Sequence, residues 1–191
     1  MIKVLIFDIG GVLNKINFSR FYEEVSFEYG INKSDFENYE RKLRHHLDLG
    51  EFDLDIFFEK LELKFNKKIN RTFYLNKLHD NVKWNYDILE FIDENLKKKY
   101  QIVILSNNSK LFINKEIFDF LSKYFDKQFY SFDLKLKKPD KKIYLKVLEN
   151  LNIQASECVL IDDKQKNLIS AKNLGLNVIL FNSLSDLTET L

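Results

Sequence analysis

The chain reads as an α/β protein, an open parallel sheet covered by helices, with a block of helices inserted after its first strand. Three observations predict this. Lys3 to Phe7 is an almost unbroken apolar run, as expected of a strand covered on both faces. From Tyr86 onward, short apolar runs alternate with amphipathic stretches, which implies right-handed crossovers between parallel strands. Between these regions, over roughly residues 14 to 81, apolar side chains keep helical spacing and no strand pattern intervenes.

Each element follows from its residues. After the first strand and Gly10-Gly11, Phe18, Phe21, Tyr22 and Val25 form one helical stripe. Phe36, Tyr39 and Leu43 form a second, opened by Ser34-Asp35-Phe36-Glu37 at capping-box spacing. Phe57, Leu61 and Phe65 predict a third helix, and Phe73, Tyr74 and Leu78 a shorter fourth. Ile88, Leu89, Ile92 and Leu96 predict a helix before the strand Ile102 to Leu105, and Leu111, Ile117, Phe118 and Leu121 one after it. A short strand over Phe129 to Phe132 precedes Lys138-Pro139. Ile143, Tyr144, Val147, Leu148 and Leu151 mark an amphipathic helix. The strand Val159 to Ile161 comes next, then a helix carrying Leu168, Ala171 and Leu174 that stops at Gly175. Val178 to Phe181 is the last strand. The expected organisation is an α/β core of residues 1–13 and 82–191 with a small α-helical cap of residues 14–81.

Composition excludes little but points one way. The net charge of +1 provides no basic field for nucleic acid or an anionic membrane. The apolar runs are too short to cross a bilayer, and the first residues do not look like a signal peptide. Cys158 is the single cysteine, so no intrachain disulfide forms, and a cytoplasmic location is expected. Cys158 itself reads as a small buried strand residue. The expected partner is a small-molecule substrate, with no nucleic acid and no membrane, for a monomer or weak homodimer.

The chemistry lies where strands end. In an open parallel sheet the carboxyl ends share one edge, and ligands bind in the crevice outside it. The first strand runs into Asp8, the second into Ser106 and Asn107, and the third into Asp162 and Asp163. With Lys138, beside the single proline Pro139, these supply carboxylates, a hydroxyl and an ammonium suited to a metal ion and a phosphate. Taken singly, each has a duller role. Asp8 is then a turn former, Ser106 to Ser109 a helix N-cap cluster, and Lys138 one cation of a solvated face, with Lys137 the alternative lysine.

Together the segments resemble the haloacid dehalogenase superfamily, and the resemblance covers nearly the whole chain. FDIGGVLN is similar to its first motif, LSNNS to its second, LKLKKPDKKIY to its third and VLIDDKQKNLISAKNLGL to its fourth. The resemblance implies a Rossmann-like core with the helical cap type inserted after the first motif. It implies Asp8 as nucleophile, and Ser106, the Asn107 backbone N–H and Lys138 as phosphate ligands. Mg²⁺ would take Asp8, the Gly10 backbone carbonyl and Asp163, with Asp162 either behind them or an alternative ligand. Asn167 could orient Asp162 or Asp163.

One departure matters. Most phosphatases of this superfamily carry a second Asp where this chain has Gly10, a residue that protonates the leaving oxygen and later activates water. Such help is typically worth about 10² to 10⁴ in rate. Some members with Gly here resemble sugar-1-phosphate phosphatases, whose leaving groups need the acid least. His45 and His46 are candidates for a substitute acid from the cap, or else a surface pair beside Arg44. Asn14 and Phe18 are candidate pocket walls. The resulting expectation is a Mg²⁺-dependent phosphatase of a small phosphorylated metabolite, such as a sugar phosphate, acting through an aspartyl-phosphate on Asp8. The alternatives are a dehalogenase, in which the same Asp attacks carbon, and a non-catalytic phospholigand-binding protein.

Overall fold

The computed structural model describes residues 1–191. In chain order the elements are β1 (Val4–Phe7), β2 (Asn14–Ile16), α1 (Phe18–Tyr29), α2 (Lys33–Leu47), α3 (Leu54–Phe65), α4 (Arg71–Asp80) and β3 (Val82–Trp84). There follow α5 (Tyr86–Phe91), continued by a π-turn over Ile92–Leu96, then β4 (Gln101–Ser106), α6 (Lys115–Leu121), β5 (Lys127–Tyr130) and α7 (Ser131–Leu134). The chain closes with α8 (Lys141–Leu151), a 3₁₀ turn at Ala155–Glu157, β6 (Cys158–Asp162), α9 (Gln165–Lys172), β7 (Asn177–Leu180) and α10 (Ser185–Thr188). No helix is long and apolar enough to cross a membrane.

Five strands form one parallel sheet in the order β5-β4-β1-β6-β7, the α/β arrangement expected. From central β1 the chain eventually runs outward through β4 and β5, then crosses to β6 and β7 on the other side. The order therefore reverses at β1, and a ligand crevice belongs at the carboxyl ends of β4, β1 and β6. Alternation along the strands divides the core into two layers. Leu5, Phe7, Ile102, Ile104 and Ile161 pack with Ile88, Leu89 and Ile92 on one face. Val4, Ile6, Val103, Leu105 and Leu160 pack with Ile143, Val147 and Leu168 on the other.

Helices α1 to α4 enclose an apolar cluster of their own, dense in aromatics: Phe21, Tyr22, Phe36, Phe57, Phe58 and Tyr74. Two strands unforeseen in the sequence link this unit to the sheet. β2 and β3 pair antiparallel, Asn14 with Trp84 and Ile16 with Val82, so the chain leaves and re-enters side by side. Three residues of mixed polarity are too few for an alternation to register.

Other local expectations shift. Helix α2 is capped at Asn32, whose side chain accepts from the Asp35 N–H, and not by a box starting at Ser34. Leu111 lies in a turn before α6 and packs into the α1–α4 cluster instead of continuing a helix. β5 ends at Tyr130, and the next residues curl into α7. α9 stops at Lys172, leaving Leu174 outside, and Gly175 takes φ of 90° in the turn that follows.

Candidate active site

The sheet brings Asp8, Ser106 and Asp162 together because each ends or follows one of three adjacent strands. The Asp8 carboxylate is buried and held on both oxygens. Its Oδ1 accepts from the Ile9 N–H at 2.7 Å and the Ser106 hydroxyl at 2.9 Å. Its Oδ2 lies 3.0 Å from the Lys138 ammonium. Lys138 also donates to Asp162 Oδ2 at 2.6 Å, so one buried cation bridges two carboxylates. Burial pushes the Asp8 carboxyl above the ordinary range, and the Lys138 ammonium opposes that rise.

Asp162 is fully buried and over-determined. The Asn167 amide donates to both its oxygens, at 3.0 and 2.9 Å, and the Lys164 N–H to Oδ1 at 2.8 Å. Of the two acidic neighbours, Asn167 thus orients Asp162. Asp163 differs: its Oδ1 is shielded from solvent and has no hydrogen-bond donor, although the Lys164 ammonium is 3.5 Å away. One oxygen from each of Asp8, Asp162 and Asp163 lies within 4.8 Å of the others. Gly11 makes room for this grouping. It takes φ of 87°, and a Cβ there would sit 2.3 Å from Asp163 Oδ2.

Lys138, not Lys137, reaches the carboxylates. The cause is a contact that motif spacing does not reveal: the Asn107 side chain accepts from the Lys138 N–H and donates to its carbonyl, both at 2.8 Å. Asn107 therefore fixes the Lys138 backbone with its amide, whatever its own N–H does. Lys137 points the other way, to Asp48 at 3.5 Å and His45 Nδ1 at 3.2 Å.

The family pattern of haloacid dehalogenase-like hydrolases matches residues 5–181. The chain belongs to that family. A phosphorylated carbohydrates phosphatase of Thermotoga maritima is 26% identical over 186 residues, covering 93% of this chain and 83% of that protein. A chloroplast flavin mononucleotide hydrolase of Arabidopsis thaliana is 26% identical over 195 residues, covering 100% of this chain and 76% of that one. Among solved structures, a haloacid dehalogenase-family enzyme of Bacteroides thetaiotaomicron, determined with magnesium and inorganic phosphate, superposes with a TM-score of 0.82. It is 22% identical, with 98% of this chain and 99% of that chain covered, a likeness of fold.

In this haloacid dehalogenase-like hydrolase a cleft of about 310 Å³ runs between the sheet edge and the helical unit. Gly10, Asn107 and Lys164 line its floor; Phe18, Arg44 and His45 line the opposite wall. Asn14 also lines it, and neither polar atom of its buried side-chain amide has a partner. His46 does not line it, since its ring pairs with Glu51 outside. Lys164 is held above the ordinary lysine value: burial works against its charge, but Asp8, Asp163 and Asp162 outweigh that. A larger hollow of about 470 Å³ lies beside the β2–β3 ribbon and is lined by none of the three clustered carboxylates.

Sequence reasoning missed Arg44 and its support. Glu40 on α2 is buried and accepts from the Tyr22 hydroxyl at 2.7 Å and the Tyr74 hydroxyl at 3.0 Å. The Arg44 guanidinium lies 3.6 Å from Glu40, donates to the Tyr22 oxygen at 3.0 Å and sits 4.2 Å over the Phe18 ring. The available signal was Glu40–Arg44 at i, i+4 on a helix whose Phe36 and Leu43 face inward. Many surface pairs share that spacing.

Proposed function

We propose that the chain hydrolyses small phosphate monoesters in a Mg²⁺-dependent reaction, with Asp8 as the nucleophile. The observation that carries this reading is Asp8 itself, a buried carboxylate within 4.8 Å of two others and held by a hydroxyl and an ammonium. The donor set suits Mg²⁺, which takes carboxylates and carbonyls and keeps waters. The orphaned Asp163 Oδ1 supports the same assignment. Asp8, Asp163 and the Gly10 carbonyl would hold the ion, with Asp162 tied back by Lys138 and Asn167. Bound there, Mg²⁺ would neutralise the repulsion between Asp8 and an incoming phosphate dianion.

The chain's own groups account for the remaining steps. Asp8 attacks phosphorus in line, its O–P bond forms, and the bond to the leaving oxygen breaks with that oxygen keeping the electron pair. Ser106 and Lys138, both already bound to Asp8, would meet the phosphoryl oxygens of a group transferred to it and draw off their charge. Gly10 offers no proton to the leaving oxygen, so the proton comes from solvent or from the substrate itself. Water then cleaves the aspartyl-phosphate, releasing inorganic phosphate and regenerating Asp8. The helical unit acts as the cap, with its cleft wall selecting the leaving group. Attack on carbon with loss of halide needs no metal, so it leaves the three-carboxylate cluster without a purpose.

The test is a screen of a few dozen phosphometabolites with Mg²⁺, beside the Asp8→Asn variant. Phosphate release by the wild type, lost in the variant and in EDTA, is expected. Release that persists in Asp8→Asn would overturn the nucleophile, and chloride release from 2-chloropropionate in EDTA would overturn the reaction class.

A further inference from the structure

We infer that the leaving group of the substrate carries a second oxyanion, a phosphate or a carboxylate, which is bound by Arg44. This rests on the phosphatase reading and deepens it. The cleft has two ends. Its floor, at Gly10, Asn107 and Lys164, belongs to the transferring phosphate. Its far wall presents Arg41, Arg44 and Lys137 against one lining carboxylate, Asp48. Lys137 is paired with Asp48, and the side chain of Arg41 is 64% exposed and lies beside Glu37. Arg44 is the cation built into place.

Its side chain is 21% exposed. It is clamped by the Phe18 ring and the buried Glu40–Tyr22–Tyr74 group. A guanidinium has five N–H donors, and the single side-chain hydrogen bond here uses Nη2 toward Tyr22. None of its nitrogens is stranded in the core. Arg44 lines the cleft, and a planar fork there fits a carboxylate or phosphate through two parallel bonds. Glu40 fixes the fork from behind, out of the cleft wall, so a ligand oxyanion meets a cation already oriented. A leaving group bearing only hydroxyls would leave those donors to water. Hydrogen bonds to charged groups of this kind correspond to about 10- to 100-fold in affinity.

The experiment uses three ligands that share one anomeric phosphate and differ at carbon six: glucose 1-phosphate, glucose 1,6-bisphosphate and glucuronate 1-phosphate. Binding to the Asp8→Asn protein with Mg²⁺ is measured by calorimetry, so turnover plays no part. At least one of the two anionic ligands should bind about tenfold or more tighter than glucose 1-phosphate, and the stronger of the two names the oxyanion. Adding Arg44→Met should bring the three within about twofold, and Arg44→Lys should keep part of the difference. Because Arg44→Met leaves Glu40 buried and uncompensated, the pair Arg44→Met with Glu40→Gln is measured alongside it. Equal binding of all three ligands, no binding of any, or an advantage that survives loss of Arg44 would overturn the inference. Hydrolysis of p-nitrophenyl phosphate by the wild type, lost in Asp8→Asn, reports on the phosphatase reading separately, since that leaving group has no second anion.

Discussion

Gly10→Asp is expected to increase turnover of alkyl phosphates and leave aryl phosphates nearly unchanged. The structure makes the substitution cheap. A Cβ at Gly10 meets no heavy atom within 4 Å, and the backbone there lies outside the left-handed region. The neighbouring glycine shows what an obstructed site looks like: at Gly11 the same atom would sit 2.3 Å from Asp163 Oδ2. Because Gly10 lines the cleft, the new carboxyl enters the space a leaving group would occupy. A positioned acid is worth about 10² to 10⁴ in rate, or about 2.7–5.4 kcal/mol of barrier at about 1.36 kcal/mol per decade. That gain is available only where the leaving oxygen needs a proton. The assay is kcat for glycerol 3-phosphate and for p-nitrophenyl phosphate, with Mg²⁺, in wild type and variant. The alkyl ester should gain about 10²-fold or more, and the aryl ester, whose phenolate leaves unaided, less than about threefold. Equal gains, or none on the alkyl ester, would refute the view that a missing acid limits the wild type.

Three further outcomes follow from the same geometry. Mg²⁺ at about 100 times its Kd should stabilise the fold by about 2.7 kcal/mol, or roughly 5–11 °C in a melting scan for a chain of this size, and Asp163→Asn should remove most of that shift. Glu40→Ala should cost about 3–5 kcal/mol in urea unfolding, because two tyrosine hydroxyls lose their acceptor and Arg44 its counter-charge, whereas Glu40→Gln should cost clearly less. Burial pushes the Cys158 thiol up to about 11, so at pH 8 only about 10⁻³ of it is thiolate. Iodoacetamide should leave Cys158 untouched in the folded chain and modify it in urea, and rapid labelling of the native protein would contradict its burial.

The sheet and the polar residues gathered at its edge were legible because their signals are local. Lys3 to Phe7 is apolar on both faces and then stops at a carboxylate, and the same grammar recurs at Ser106 and Asp162. Long helices with one apolar stripe, such as Phe18 to Val25, declare themselves equally well. What escaped the sequence depends on contacts between distant segments. Nothing in Asn14-Lys15-Ile16 and Val82-Lys83-Trp84 says that they pair across the four helices between them. Leu111 has the spacing of a helix residue, yet it belongs to the apolar cluster of a different layer. Arg44 looked like one more base beside two histidines, and only the fold places Tyr74 from α4 against its partner Glu40.

The division of labour between the two layers explains why these failures cluster in the helices. On the sheet edge, Asp8, Ser106 and Asp162 each stand at a strand end or one residue beyond it, and those ends are fixed by ladder hydrogen bonds that are indifferent to side chains elsewhere. Asp8 and Asp162 keep their separation because β1 and β6 are neighbours, with Phe7 opposite Ile161. Lys138 is the exception, being on a loop, and it needs Asn107 to hold its backbone and two carboxylates to hold its ammonium. The helical wall has no ladder to set its register. Its buried carboxylate is therefore held by groups from three helices, Tyr22 on α1, Glu40 itself on α2 and Tyr74 on α4. On the proposed reading, a substitution there would move Arg44 relative to the floor without disturbing Asp8, so that leaving-group choice would change while the phosphoryl chemistry stayed intact.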